Sequence, residues 1–455
     1  GNAGCFNGSS VVPMSMPGMI KNVPSWLLDP MGPLAVRFNY LPNITPWLVR
    51  FLLAGKRAKV WEQSQALRSL IGSTVPLIKS LAKEAGAEHL LRHEGHLYVY
   101  RSESAFVKDR GGWELRNANG ISTQTLSAEE LREFDPSISS AYTKGVLIAE
   151  NSHTTNPHEL VTSIFRKVLE NGGQFLSARA TGFALNGEQL IGIETTSGVV
   201  SVDAAVVAAG AHSKPLTEIL GDNIPLDTER GYHLLIRDPL VVPKIPTTDA
   251  EGKFIATPMD TGLRIGGTVE FAGLQAPPNW KRADVLYMHA RNLFPGLSST
   301  RPEKNITKWM GFRPSIPDSL PVIGHSRRCQ NVIYAFGHGH VGLGDCPTVE
   351  LPARFARQQY RGLQLHRHVG EFEADALELA DLLAELLAFG GIADGMAQRA
   401  FGAAKAGRGH LQPGRPQPFA GHFKAFVQFA QDLPLVQPAI IELKDHVVIA
   451  AMRHV

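Results

Sequence analysis

"AAVVAAGAHS", residues 204–213, reads as a short buried strand that runs into a glycine. Ala204 to Ala209 are small or β-branched, Gly210 follows, and Ala211-His212-Ser213 come next. A strand that ends in residues with almost no side chain either turns tightly or lies beside something large that a Cβ would obstruct. A second junction, "IYAFGHGHVGL" at 333–343, repeats the arrangement. There a strand meets Gly337, Gly339 and Gly342, spaced to open a helix whose backbone N–H groups face an electron-rich oxygen. His338 and His340 alternate on this segment, but no acidic residue or cysteine accompanies them, so no metal site is expected.

Between the two junctions lies "KWMGFRPSIPDSLPVIG", residues 308–324. Arg313 sits between Phe312 and Pro314 in a stretch uncharged from there to Asp318. Its guanidinium fork suits a carboxylate, and two are open to it: Asp318 in an internal salt bridge, or a bound acid.

Bulk properties narrow the class. The 455 residues, 44% hydrophobic with 44 glycines and 30 prolines, suit an α/β protein of two or three domains. A net charge of +3 excludes a dedicated nucleic-acid binder. Cys5, Cys329 and Cys346 form no CxxC pair, so neither a disulfide framework nor a zinc site is expected, and the compartment is reducing. No run approaches about 18 apolar residues and no signal-peptide pattern is seen at the start, so a cytoplasmic location is expected.

Along the chain, "SAEELREF" starts a helix with Ser127 as N-cap and Glu130 completing a capping box. "HELVTSIFRKVLENGG" is an amphipathic helix closed by Gly172-Gly173, and the strands after it turn at Asn186-Gly187 and Ser197-Gly198. "PWLVRFLLAGKR" sets Trp47, Leu48, Phe51 and Leu52 beside Arg50, Lys56 and Arg57, the mix of a membrane-surface helix or of a core-packed one. The tail from 344 to 455 differs in character, with a helix expected from Glu371 to Leu387 and a linker-like "GAAKAGRGHLQPGRPQPFAG".

The motif order "GNAG", "AAVVAAGAHS", "RGYHLLI", "LRIGGTVE", "WMGFRPSIPDSLPVIG", "YAFGHGHVGL" resembles the FAD-dependent D-amino-acid dehydrogenases, relatives of D-amino-acid oxidase and glycine oxidase. The resemblance runs from Gly1 to Leu343. It implies an α/β, Rossmann-like FAD-binding domain (1–30, 145–225 and 305–343) and an α+β substrate domain on an antiparallel sheet (31–144 and 226–304). By the same resemblance Asn2, Ala3 and Gly4 follow the dinucleotide and flavin, Ala180 meets the adenine, and Ala209-Gly210 make room for the cofactor. Gly337, His338, Gly339, His340, Val341, Gly342 and Leu343 then cover the pyrimidine end of the flavin. Arg313 holds a substrate carboxylate and Tyr232 lies in the substrate pocket. The implied reaction is hydride transfer from the Cα of a D-amino acid to non-covalent FAD, leaving an imine that water hydrolyses to a keto acid and ammonia. Quinone or another acceptor reoxidises the flavin, with peripheral contact at the inner membrane surface. Oxidation of glycine, sarcosine or an imino acid, or a non-catalytic remnant, are the alternatives.

Two departures go with the resemblance. The family's first strand and GxGxxG segment, which seats the pyrophosphate, is absent ahead of Gly1, so the FAD domain reads as truncated and FAD retention is expected to be weak. After Leu343 the resemblance stops inside a motif. Reading the coding sequence one nucleotide on allows V-T-A-P-R-S, a family-like helix start, so 344–455 is expected to be frameshifted and to lie outside the catalytic fold.

Overall fold

The computed structural model describes residues 2–19, 32, 34–297 and 305–344, and the backbone of 438–443 and 446–451. Its central element is the strand Asp227–Ile236. Tyr232, Leu234 and Ile236 enter the main core, while Glu229, Gly231 and His233 face the other way, the period of two that a strand imposes. This strand pairs antiparallel with Ile306–Ser315 on one side and Gly262–Phe271 on the other. The three belong to a nine-stranded sheet that continues through Phe254–Met259, Thr247–Asp249, His96–Tyr100, Lys144–Ile148 and Gln124–Leu126. Its core face packs on the helix Lys281–Leu293 through Ala283, Leu286, Ala290 and Leu293. The segments 144–148 and 306–315, grouped by resemblance mostly with the FAD domain, therefore run in this sheet.

The stretch 204–213 belongs to a different layer. Ala205–Ala208 lies inside a six-stranded sheet and runs parallel to both neighbours, Val332–Phe336 and His446–Ala451. Parallel strands are covered on both faces and read as continuous apolar runs, which is why neither "AAVVAA" nor "VIYAF" alternates. Two strands of the tail, Pro438–Leu443 and His446–Ala451, sit between Ala205–Ala208 and Gln174–Ser177. The tail was expected to stand apart. The physical reason for the difference is that Ala205–Ala208 would otherwise expose a row of unpaired N–H and C=O groups along its second edge, and 447–450 pair with them. The helix expected at 371–387 lies outside the described residues.

Local signals were reliable. Ser127 and Glu130 form the reciprocal capping box, at 3.2 and 2.7 Å. The helix Pro157–Glu170 is capped by Asn156, whose Oδ1 accepts the Glu159 N–H at 3.1 Å. In the Leu41–Ala54 helix, Trp47 stacks on Phe51 at 5.2 Å, touches Phe271 at 5.0 Å, and donates Nε1–H to the Ser315 carbonyl. Both rings are buried, so the core-packed reading of "PWLVRFLL" holds and the membrane-surface reading gives way. Among the described residues, no helix is long and apolar enough to cross a membrane.

In the six-stranded layer, buried Asp222 joins three segments. Its carboxylate accepts from Ser326 Oγ at 2.8 Å, Tyr334 Oη at 2.7 Å and Arg327 Nε at 2.8 Å. Burial raises its pKa, but the bonds from Arg327, Tyr334 and Ser326 outweigh that and hold it below the ordinary aspartate value. Its stabilisation is therefore complete above the unfolded-state pKa of about 4 and is lost as pH falls through the lower folded value. Asp222→Ala should destabilise the protein by about 3 kcal/mol at pH 7, because it strands buried donors. Chemical denaturation should show that gap narrowing below about pH 4.

Candidate active site

On the face of the nine-stranded sheet opposite the Lys281–Leu293 helix lies a cavity of about 1560 Å³. Its floor is made by Trp309, Gly311 and Arg313 of one strand and Glu229, Gly231 and His233 of the next. Gly231 and Gly311 are register partners. A Cβ on Gly231 would collide with the Arg313 guanidinium, and one on Gly311 with the Trp309 ring. Two glycines side by side thus let both large side chains lie flat on the sheet. His233, opposite Trp309 in register, stacks on its indole at 4.8 Å.

Arg313 donates Nη1–H to the Thr268 carbonyl at 3.2 Å. Burial lowers its pKa and the nearby Glu229 opposes that. Glu229 is itself buried, accepts from Ser315 Oγ at 2.6 Å, and has its pKa raised by burial. Asp318, the internal partner considered for Arg313, instead accepts the Leu320 N–H at 3.0 Å. Among the described residues Arg313 makes no ion pair, and it lines the cavity.

The strand carrying Thr268 bulges here. Between the pairs Arg230–Glu270 and Tyr232–Gly267, Gly231 alone faces both Thr268 and Val269. Thr268 takes φ +60°, an outlier for a β-branched residue, with strain on the order of 1–3 kcal/mol. Four residues earlier, Arg264 also lines the cavity and donates Nη1–H to the Asn2 carbonyl at 2.5 Å. Burial lowers its pKa to about 10. The N-terminal loop is further held by Asn2 Oδ1, which accepts the Gly4 N–H at 2.7 Å, and by the Gly4 carbonyl, which accepts from Thr154 N–H at 2.7 Å.

The glycine loop completes the wall. Gly337 and Gly339 have φ +85° and +55°, and a helical turn opens at Gly342. The Gly339 N–H donates to the Pro314 carbonyl at 2.8 Å, and His338 bridges to Ser315, so the loop is fixed beside Arg313. His340 lines the cavity, while His338 faces a small adjoining one and its Nε2 has no partner among the described residues. Burial holds both imidazoles near pKa 4, with Arg313 adding to the effect on His340. Among the described residues, no group of three or more His, Cys, Asp or Glu is placed to hold a metal.

The cavity unites Asn2, Ala3, Gly339, His340, Val341, Gly342, Leu343, Arg313 and Tyr232. Gly4, Ala180, Ala209, Gly210, Gly337 and His338 do not line it; Ala180 and Ala209 pack in the core of the parallel layer with Phe336. Gly210 has φ +55°, and a Cβ there would meet no protein atom, so space is open beside that turn. Tyr232 borders the cavity but is almost wholly buried. Its hydroxyl donates to Glu270 Oε2 at 2.6 Å and accepts the Asn279 N–H at 2.9 Å, which leaves no O–H to offer a substrate.

Sequence reading passed over His233, Trp309, Arg264 and Thr268. Strand alternation in "WMGFR" was the signal that sets Trp309, Gly311 and Arg313 on one face. Thr268 gave none, because "GGTVE" reads as plain strand.

A large cofactor fits these residues. The volume exceeds the roughly 300–1,000 Å³ of a single small-ligand pocket. Asn7, Thr74, Arg264 and Thr268 line the cavity, and each carries a buried polar atom (Oδ1, Oγ1, Nε and Oγ1) without a partner among the described residues.

Several histidines here are held neutral. Burial lowers His233 and His96 to about 3, with Arg264 contributing to the first and Arg116 to the second. The unfolded chain protonates them near pH 6.5 and the folded one does not, so folding stability falls as pH drops from about 6.5. The slope should reach up to about 1.4 kcal/mol per pH unit for each such histidine. Denaturation at pH 7, 5.5 and 4.5 should show the decline, and His233→Asn should make it shallower.

Comparison with known proteins agrees with this geometry. Residues 41–349 match the FAD dependent oxidoreductase family. A D-amino-acid oxidase of Bradyrhizobium diazoefficiens is 42% identical over 356 residues, 78% of this chain and 84% of that protein. A D-amino acid dehydrogenase of Rhizobium rhizogenes is 28% identical over 348 residues, 75% of this chain and 82% of the other. Among solved structures, glycine oxidase from Bacillus cereus superposes with a TM-score of 0.55 at 16% identity, covering 64% of this chain and 82% of its own. The L-proline dehydrogenase of P. horikoshii gives 0.54 at 19%, covering 64% and 79%, so the fold is shared well beyond the sequence. The chain belongs to the FAD dependent oxidoreductase family, among the amino-acid oxidases and dehydrogenases.

Proposed function

We propose that this chain, with FAD bound, oxidatively deaminates a D-amino acid to the keto acid and ammonia. The observation that carries the reading is Arg313: an arginine laid flat on a glycine floor, without an ion pair among the described residues, at the wall of a large cavity. The identity to a D-amino-acid oxidase supports the choice of substrate class. In this reading Asn2, Ala3 and residues Gly339 to Leu343, which line the cavity, hold the cofactor, and Ala209-Gly210 and Gly337-His338 shape the turns behind them. The parallel layer serves as the FAD domain and the nine-stranded sheet as the substrate domain. FAD, when bound, supplies the acceptor for the hydride removed from the substrate Cα.

The protein's own part is placement. The Arg313 fork fixes the carboxylate in two places, which orients the Cα–H bond. His340 stays neutral at working pH, so it neither competes with Arg313 for the carboxylate nor repels the substrate ammonium. The Trp309–His233 stack walls off the next stretch of floor and gives an apolar surface for a substrate side chain. Oxygen uptake measured against quinone or dye reduction identifies the electron acceptor.

Arg313→Lys should raise KM for D-amino acids about tenfold or more with a smaller change in kcat, since an ammonium cannot reproduce the fork. Arg313→Ala should lose about 2–5 kcal/mol of binding. Steady-state kinetics on a panel of D-amino acids checks both, and unchanged KM in either variant would overturn the assignment.

A further inference from the structure

The strand "LRIGGTVEF" places glycine at 266 and 267 and then a threonine at 268, the one of the three that adopts a left-handed backbone, at φ +60°. Glycine would hold that conformation without strain, so the β-branched residue is kept there against local preference. What distinguishes it from glycine is its side chain. Thr268 is 8% exposed and lines the cavity, and its buried hydroxyl has no hydrogen-bond partner among the described residues. The same residue's carbonyl accepts from Arg313 Nη1. The bulge thus sets the residue that carries this unpartnered donor against Arg313, and its backbone carbonyl helps orient the fork.

We propose that Thr268 is a second substrate-binding residue, its Oγ1–H donating to the carboxylate that Arg313 holds. The inference rests on the Arg313 reading above. A carboxylate offers about four acceptor sites; the fork of Arg313 fills two and Thr268 a third. A lone buried hydroxyl is unfavourable in the empty site and becomes satisfied when the acid arrives, so part of the affinity comes from relieving it. The strained backbone is then explained as the geometry that aims both groups at one point.

Benzoate, an unreactive carboxylate, serves as the probe, titrated calorimetrically into the FAD-loaded full chain. Thr268→Ser keeps the hydroxyl and should bind benzoate within about twofold of wild type. Thr268→Gly removes the hydroxyl, relieves the backbone and keeps the carbonyl. It should weaken benzoate about tenfold while its melting temperature stays level or rises. Thr268→Val keeps the branched shape without the hydroxyl and should weaken benzoate similarly, which covers the case in which the glycine variant folds poorly. Wild-type affinity in both the glycine and valine variants overturns the inference while leaving Arg313 untouched. If wild type and Arg313→Ala bind benzoate equally, or neither binds it, the Arg313 reading falls and this one with it.

Discussion

The site depends on one cross-strand pair, Gly231 opposite Gly311. On a pleated sheet, neighbouring side chains of one face stand roughly 4.5–5.5 Å apart, and each normally occupies the space over its own backbone. Removing both Cβ atoms from adjacent strands opens a strip into which Arg313 folds from one end and Trp309 from the other. Arg313 could not lie flat if Gly231 carried a methyl group, nor Trp309 if Gly311 did. The floor then presents a guanidinium edge and an aromatic face side by side instead of a row of upright side chains.

Around that floor the chain keeps charge scarce and cationic. Arg313 and Arg264 are both partly removed from water, one directed to the Thr268 carbonyl and the other to that of Asn2. The histidines nearby are kept neutral by burial. Glu229 is sequestered against Ser315, its pKa raised by burial, and it makes no ion pair with Arg313 among the described residues. An enclosed guanidinium without a strong carboxylate is costly in the free protein, and that cost is removed when an acid binds. The arrangement favours anionic ligands for the same reason that it is unfavourable without them.

The two layers divide the labour through their different hydrogen-bonding patterns. The antiparallel strands supply a flat alternating surface, one face for the core and one for the cavity. The parallel strands deliver chain ends to one edge, where Gly210 and Gly337 turn with positive φ. The loop after Val332–Phe336 joins the layers, because Gly339 bonds back to Pro314, the residue that follows Arg313. The tail strands enter the same parallel layer by pairing with the free edge of Ala205–Ala208.

Much of this was written locally. Capping at Ser127 and Asn156, the glycine turns at 187 and 198, and the unalternating runs at 204–209 and 332–336 each follow from neighbours within a few residues. The place of Arg313 in an apolar, proline-rich stretch marked it before any fold was known. What the sequence could not fix were relations between distant strands. The Gly231–Gly311 register, the stacking of His233 on Trp309 and the enclosure of Tyr232 in the core arise from pairings 70 to 80 residues apart. The left-handed turn at Thr268 runs against its own local preference. Short-range propensity sets which segments are strands and where they end. Only the tertiary register decides which side chains share a face, because shifting a strand by one residue sends every side chain to the opposite side.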